Sequence, residues 1–348
     1  MFSVKFLRVR IVLAGVFSWA FLLAHQVQSA PALEYRLSNF ELRGYTEAVS
    51  SLFEAWEEHT GNTIQPQEKK IVGQKVYTSS APGLCTSKNL VRAVIGSLVD
   101  RDYAPMDIFL IDINGAWMRD SGFLPPLSAR DKTFYGHEVQ VINSGDYFHP
   151  TWYYDSPVPP REHYLPGITP MVQEFVEEDP SAERRLPEDR KSFIPASLVL
   201  DVDFWINLPA ISDHEMLILN GALVNATLWN ASNTLRFFHS PANAPVAVAE
   251  MAAIPELRAT WSFNIVSLEK YQFIGGPQFN SLYTVSDNLV VLSEDPVLVD
   301  SYMISLINQW RDRYRFPLIP EEVSMLAYAE QLGVGSRDLS PERIITVR

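Results

Sequence analysis

A single cysteine, Cys85, stands among the 348 residues. An internal disulfide is therefore impossible, and iron–sulfur clusters and cysteine-rich zinc sites are excluded as well. Basic residues are also scarce, with 28 Lys and Arg against 41 Asp and Glu and a formal net charge of −13. An acidic surface of this kind repels phosphate backbones, which argues against nucleic acid and against docking on anionic lipid. Beyond the N-terminus no apolar run approaches the roughly 20 residues of a membrane-spanning helix, so no stable membrane insertion is expected there. The chain carries no serine nucleophile elbow, phosphate loop or His-Glu-x-x-His zinc motif. It has no internal repeat.

The first 32 residues read as an export signal. Lys5, Arg8 and Arg10 make a basic start, 11–24 is mostly apolar, and Ala30-Pro31-Ala32 offers small residues for cleavage. Pro31 would follow a cut after Ala30, so Ser29 or Ala32 is expected to be the last residue removed. The destination is the periplasm or beyond, with an uncleaved N-terminal anchor as the alternative. In that oxidising setting a free thiol is a liability, and Cys85 is expected to be buried.

Residues 33–348 read as one α/β domain. Thr46 can cap a helix whose apolar stripe is Val49, Leu52, Phe53 and Trp56 and which stops at Gly61-Asn62. A βαβ unit follows: a strand over 70–77, a helix over 87–100, and the continuous apolar strand 106–112, as expected when both faces are covered. Over about 124–190 the texture changes to proline, aromatic clusters and charge, which reads as an irregular insertion on the rim of the sheet. Further strands are expected at 202–208, 260–266 and 288–292, and an edge strand at 344–347. Helices are expected at 216–228, 245–254, 296–313 and 320–332, with Asp295 as N-cap and Pro296 at the first helical position. Alternation of this kind predicts a largely parallel or mixed sheet with helices on both faces.

Ligands on such sheets bind beyond the carboxyl ends of the strands. Those ends are expected to supply Thr78, Ser79, Asp112, Asp213, His214, Ser267 and Asp295. Lys75 lies within a strand and needs a partner, for which Asp112 is the obvious candidate. Asp213-His214 suits a general base or metal ligands, with His239 or Asp112 completing the set. Alternatively, Asp213 caps a helix and His214 is simply hydrogen-bonded. Asn225 either donates to a ligand or satisfies a carbonyl, and Gly275-Gly276-Pro277 either presents N–H groups to an anion or is a plain turn. Trp152, Tyr153 and Tyr154 either stack on a ligand or pack the insertion onto the domain.

From Ile71 to Val347 the order of these segments resembles the domain-of-unknown-function family 362, in its exported subgroup without a ferredoxin module. GQKVYTSSAPGLCTSKNLVRAVIGSL, FLIDINGAWMRDSGF, INLPAISDHEMLILNGALVN, LSEDPVLVD and GVGSRD carry the resemblance. Against the family pattern, Tyr77 stands for an Asn, Ser212 and Val224 for lysines, and Ser267 for an Asp. The resemblance implies an α/β domain with a strand-end cleft and does not supply a reaction, so whether the chain is an enzyme stays undecided, as do its cofactors. Two functions are expected as alternatives. One is a small-ligand cleft, for an anion or metal, lined by Lys75, Asp112, Asp213, His214, Asn225 and His239. The other is a non-catalytic relative with a filled cleft that acts through its insertion.

Overall fold

The computed structural model of the chain describes residues 30–142, 147–155, 191–239 and 241–348. Strand β1 (Ala32–Arg36) leads into helix α1 (Leu42–Thr60), which buries Tyr45, Ala48, Val49, Leu52 and Phe53. Gly61 ends α1 in the left-handed conformation, φ 73°, and its N–H donates to Glu57 O at 2.9 Å. The helix starts four residues before Thr46, whose hydroxyl donates back to Leu42 O at 2.9 Å. Thr46 thus sits inside the first turns and caps nothing, because Oγ1 satisfies a helical carbonyl instead.

The expected βαβ unit is present as β2 (Val72–Val76), α2 (Lys88–Val99) and β3 (Ile108–Asp112). Every residue of both strands is buried. A short helix α3 (Gly115–Asp120) follows, and then β4 (Glu138–Val141), which pairs in parallel with β3. Part of the region 124–190, read from the sequence as an irregular insertion on the rim of the sheet, thus forms a regular edge strand. Within the rest, β5 (Phe148–Asp155) pairs antiparallel with β6 (Lys191–Pro195). Tyr154 packs on Phe237 and Tyr153 on Phe193, whereas 156–190 lie outside the described residues.

After a π-helical turn (Ser197–Asp201) comes β7 (Phe204–Leu208). β8 (Ser212–His214) follows, and the helix expected over 216–228 is replaced by β9 (Ile218–Asn220), the short α4 (Ala222–Ala226) and the start of a 3-10 turn (Leu228–Asn230). An apolar run buried on all sides carries no stripe that separates helix from strand, and Gly221 interrupts it. Then follow α5 (Asn243–Ala252), α6 (Pro255–Thr260), β10 (Trp261–Ser267), β11 (Tyr271–Gln272) and β12 (Thr284–Val285). The chain closes with β13 (Leu289–Ser293), α7 (Pro296–Arg313), α8 (Ser324–Gln331) and β14 (Ile344–Val347).

The main sheet has the order β14-β1-β13-β10-β7-β2-β3-β4, and a smaller one has the order β12-β11-β8-β9. Five neighbours, β10 to β4, are parallel, and β13 alone runs against the rest of the main sheet. Helices α1 and α2 cover one face around Tyr45, Phe53 and Val94; α4, α5, α7 and α8 cover the other around Trp205, Leu223 and Met303. The chain runs outward from β2 through β3 to β4 on one side, and from β7 to β10 on the other. Its direction of winding therefore reverses between β2 and β7. That crevice is where a ligand site is expected on such a sheet.

Candidate functional site at the strand ends

Lys75 points from β2 into the interior and is fully buried. Its ammonium donates to Asp112 Oδ1 at 2.7 Å, Val76 O at 2.7 Å and Asn225 Oδ1 at 3.1 Å. An ammonium has three donors, and all three are engaged. Burial pushes its pKa down, and Asp112 beside it opposes that shift. Asp112 is itself held by the Thr78 hydroxyl and, at 2.8 Å, by the Ile113 N–H.

The network continues across the sheet. Asn225 Nδ2 donates to Asn207 Oδ1 at 2.8 Å, Asn207 Nδ2 to Asn264 Oδ1 at 2.9 Å, and Asn264 Nδ2 to Ser293 O at 3.1 Å. Each of these asparagines is completely buried. Five elements, β3, β2, α4, β7 and β10, are thereby linked to β13 through side chains that already satisfy one another. Tyr77 closes the strand end: it is 1% exposed, packs with Leu84, Ala210 and Trp229, and lies 2.9 Å from Ser80 Oγ. Lys75, Asp112 and Asn225 do converge as the strand-end argument requires, in a sealed network and not in an open cleft.

Asp213 and His214 lie in the small sheet, and no hydrogen bond among the described residues ties them to Lys75 or Asp112. The Asp213 carboxylate accepts from Gly275 N at 3.0 Å and Gly276 N at 2.7 Å, and pairs with Arg311 at 3.2 Å. It caps no helix. The Gly-Gly N–H groups that suited an external anion hold this internal carboxylate. Burial raises the Asp213 pKa, while those N–H bonds and Arg311 oppose it. His214 Nδ1 accepts from Met216 N at 3.1 Å and Leu217 N at 3.3 Å, and its ring stacks on Phe238 at 5.6 Å. Burial lowers its pKa to about 4, so the imidazole is neutral with the proton on Nε2. Among the described residues no three His, Cys, Asp or Glu side chains are grouped to hold a metal ion. His239 ends a 3-10 turn (Leu235–His239), and its side chain lies outside the described set.

Asp295 caps α7 as expected, with Oδ1 accepting from Val297 N and Leu298 N at 3.0 and 2.9 Å. Its place among the strand-end residues is corrected: β13 is antiparallel, so its exit lies at the opposite edge of the sheet. There Asp295 pairs with Arg343 at 3.2 Å.

An open pocket of about 320 Å³ lies at the reversal between β2 and β7. It is walled by the loop after β2, by Asp120 and Ser121 at the end of α3, by Pro209 and Ala210 after β7, and by Ser267, Glu269 and Lys270 at the end of β10. The N-terminus of α2 opens into it. Ser87 makes no side-chain cap, leaving the first-turn N–H groups free of one, and Lys88 and Lys270 flank them. A helix N-terminus with adjacent cations favours negative charge. Two of the lining side chains are held by Tyr45, whose Oη lies 2.6 Å from Ser267 Oγ and 2.9 Å from Glu269 Oε2. Cys85 lines the pocket and is only partly buried, contrary to expectation; burial still raises its pKa, against the pull of both lysines. Lys88, Glu269 and Lys270 were not singled out in the sequence. A serine opening a helix after a buried strand was the available signal for the first of them.

A family model, Domain of unknown function (DUF362), matches residues 165–305. The match includes Asp213, His214, Asn225 and His239, while Lys75, Asp112 and the α2 N-terminus precede it. No curated protein matches the chain. A crystal structure of a protein from Thermotoga maritima aligns with 77% of this chain and 59% of its own, at 12% identity and a TM-score of 0.39. The chain thus spans less than two thirds of that protein.

Proposed function

We propose that this chain, with its DUF362 segment over 165–305, is an exported protein that binds a small anion in the pocket between β2 and β7. The observation that carries the reading is the uncapped N-terminus of α2 facing a 320 Å³ space beside Lys88 and Lys270. The sealed Lys75–Asp112–Asn225 network then acts as the rigid floor that fixes the loops around the ligand. Inorganic phosphate and glycerol 3-phosphate are the probes. Either should raise the melting temperature by about 2 °C or more at saturating concentration. Lys88→Gln and Lys270→Gln should each weaken binding about three- to tenfold and reduce its salt dependence. Absence of any shift with both probes would overturn the reading.

A second reading is favoured by the buried Tyr77 ring: a non-catalytic envelope protein whose ancestral cleft is filled and whose 124–190 region contacts a partner. Failure of every anion to bind, with a pull-down that depends on that region, would support it.

Export also bears on the start of the domain. Ala32 is fully buried and pairs with Ile344, Arg343 donates to Ala30 O at 3.0 Å, and Ser293 donates to Pro31 O at 2.9 Å. Cleavage after Ala32 would remove both acceptors, leaving Ser293 without Pro31 O and Arg343 with Asp295 but without Ala30 O. The mature chain is therefore expected to begin at Ala30, after Ser29. N-terminal sequencing of the protein from the envelope fraction checks this; a chain beginning at Leu33, or retaining the leader, would overturn it.

A further inference from the structure

A second concavity, about 460 Å³, opens at the other edge of the sheet, where β2, β3 and β4 begin. Its floor and lip are apolar. Ile71 and Phe109 form the base, and Leu200 and Met106 are 38% and 84% exposed around it. Three carboxylates, Asp107, Glu138 and Asp201, surround it against one cation, Lys69.

Two buried polar atoms in its wall have no partner among the described residues: Gln140 Oε1 and Ser197 Oγ, on residues 7% and 6% exposed. The Gln140 amide is oriented by its own strand, since Nε2 donates to Glu138 Oε1 at 3.3 Å. That leaves the oxygen as an acceptor without a donor. A buried acceptor left unmade is costly, and such groups normally have a protein, water or ligand partner. The carboxylates are too dispersed to grip a point charge, for no three acidic or imidazole groups among the described residues form a metal cluster. Spread negative charge, an apolar lip and orphaned acceptors match an extended organic cation with N–H donors.

We infer that this concavity is a binding site for a linear aliphatic amine, its methylene chain on Met106 and Leu200 and its ammonium group donating to Gln140 Oε1 and Ser197 Oγ. The site is independent of the anion pocket, which shares no lining residue with it and lies beyond the opposite end of β2.

Titration with 1,5-diaminopentane, followed by calorimetry and amide chemical shifts, tests it on the whole chain. Binding is expected with shifts centred on 105–109, 138–141 and 197–201, weakening as salt rises. The neutral analogue 1,5-pentanediol should bind at least tenfold more weakly. Asp201→Asn, on an exposed side chain, should lower affinity several-fold. Gln140→Leu should lower it about tenfold while the melting temperature holds or rises, because an unsatisfied polar group is removed. No binding by the native chain would overturn the inference, as would equal binding of the diol or affinity unchanged in both variants.

Discussion

Replacing Lys75 with methionine is expected to destabilise the fold by about 3–5 kcal/mol, the range for breaking a buried ion pair from one side. The substitution removes the charged partner of Asp112 Oδ1 and the Lys75 donor to Asn225 Oδ1, both buried. Asp112 would keep only the Thr78 hydroxyl and the Ile113 N–H. Removing both charges together, Lys75→Met with Asp112→Asn, should recover part of the loss, since no uncompensated carboxylate remains. Urea denaturation of the two single variants and the double variant measures the coupling. A lysine that served a ligand would behave otherwise: its loss would abolish binding and leave stability within about 1 kcal/mol. That outcome would refute the sealed network. Anion binding by any folded Lys75 variant should persist, because the pocket is built from other residues.

The second large effect concerns Asp300, which is fully buried on α7 and caps α4 from outside it. Its two oxygens accept from Ala222 N at 2.6 Å and Leu223 N at 3.0 Å. The approach is so close that a Cβ on Gly221 would lie 2.3 Å from Oδ1. Burial raises the Asp300 pKa to about 7, while the two N–H bonds oppose the shift. In the unfolded chain the same carboxyl titrates near 3.8. Between those values the folded state holds the proton more tightly, so this residue's contribution is most favourable at low pH. It declines as pH rises from about 4 to about 7 and is constant above.

His214 acts in the opposite sense, since its pKa falls from 6.5 to about 4 and folding gains with rising pH over that span. The two slopes overlap in the native protein, and Asp300→Asn separates them. The variant should be less stable than the native chain at pH 5, having lost an acceptor for one N–H. That deficit should shrink by about 2–3 kcal/mol at pH 8, where the native carboxylate is ionised in the interior. Chemical denaturation at the two pH values measures this, and a deficit independent of pH would contradict it.

How much of the molecule could be read from its residues varied with the kind of signal. The β2–α2–β3 unit was legible because its strands are uninterrupted apolar runs and its helix has a clear face, Leu90, Val91, Val94 and Leu98. Asp295-Pro296 was legible because capping is local chemistry between neighbours. The segment 216–228 was misread because all of its positions but Met216 and Ile218 are buried, and periodicity has meaning only where one side meets water. The Lys75–Asp112 pairing followed from the need of a buried ammonium for a counter-charge. The Asn225–Asn207–Asn264 continuation did not, since nothing in three separated asparagines says that they share a layer.

The sequence by itself determined the alternation of strands and helices, the cap at Asp295, and the exclusion of disulfide and iron–sulfur chemistry, because each depends on residue type or on near neighbours. Tertiary structure alone decided the direction of β13, and with it the removal of Asp295 to the far edge of the sheet. It also decided that Lys75 is sealed and that Lys88, Glu269 and Lys270 share a pocket. Strand direction and side-chain enclosure arise from contacts between segments tens to hundreds of residues apart, and no local pattern encodes them.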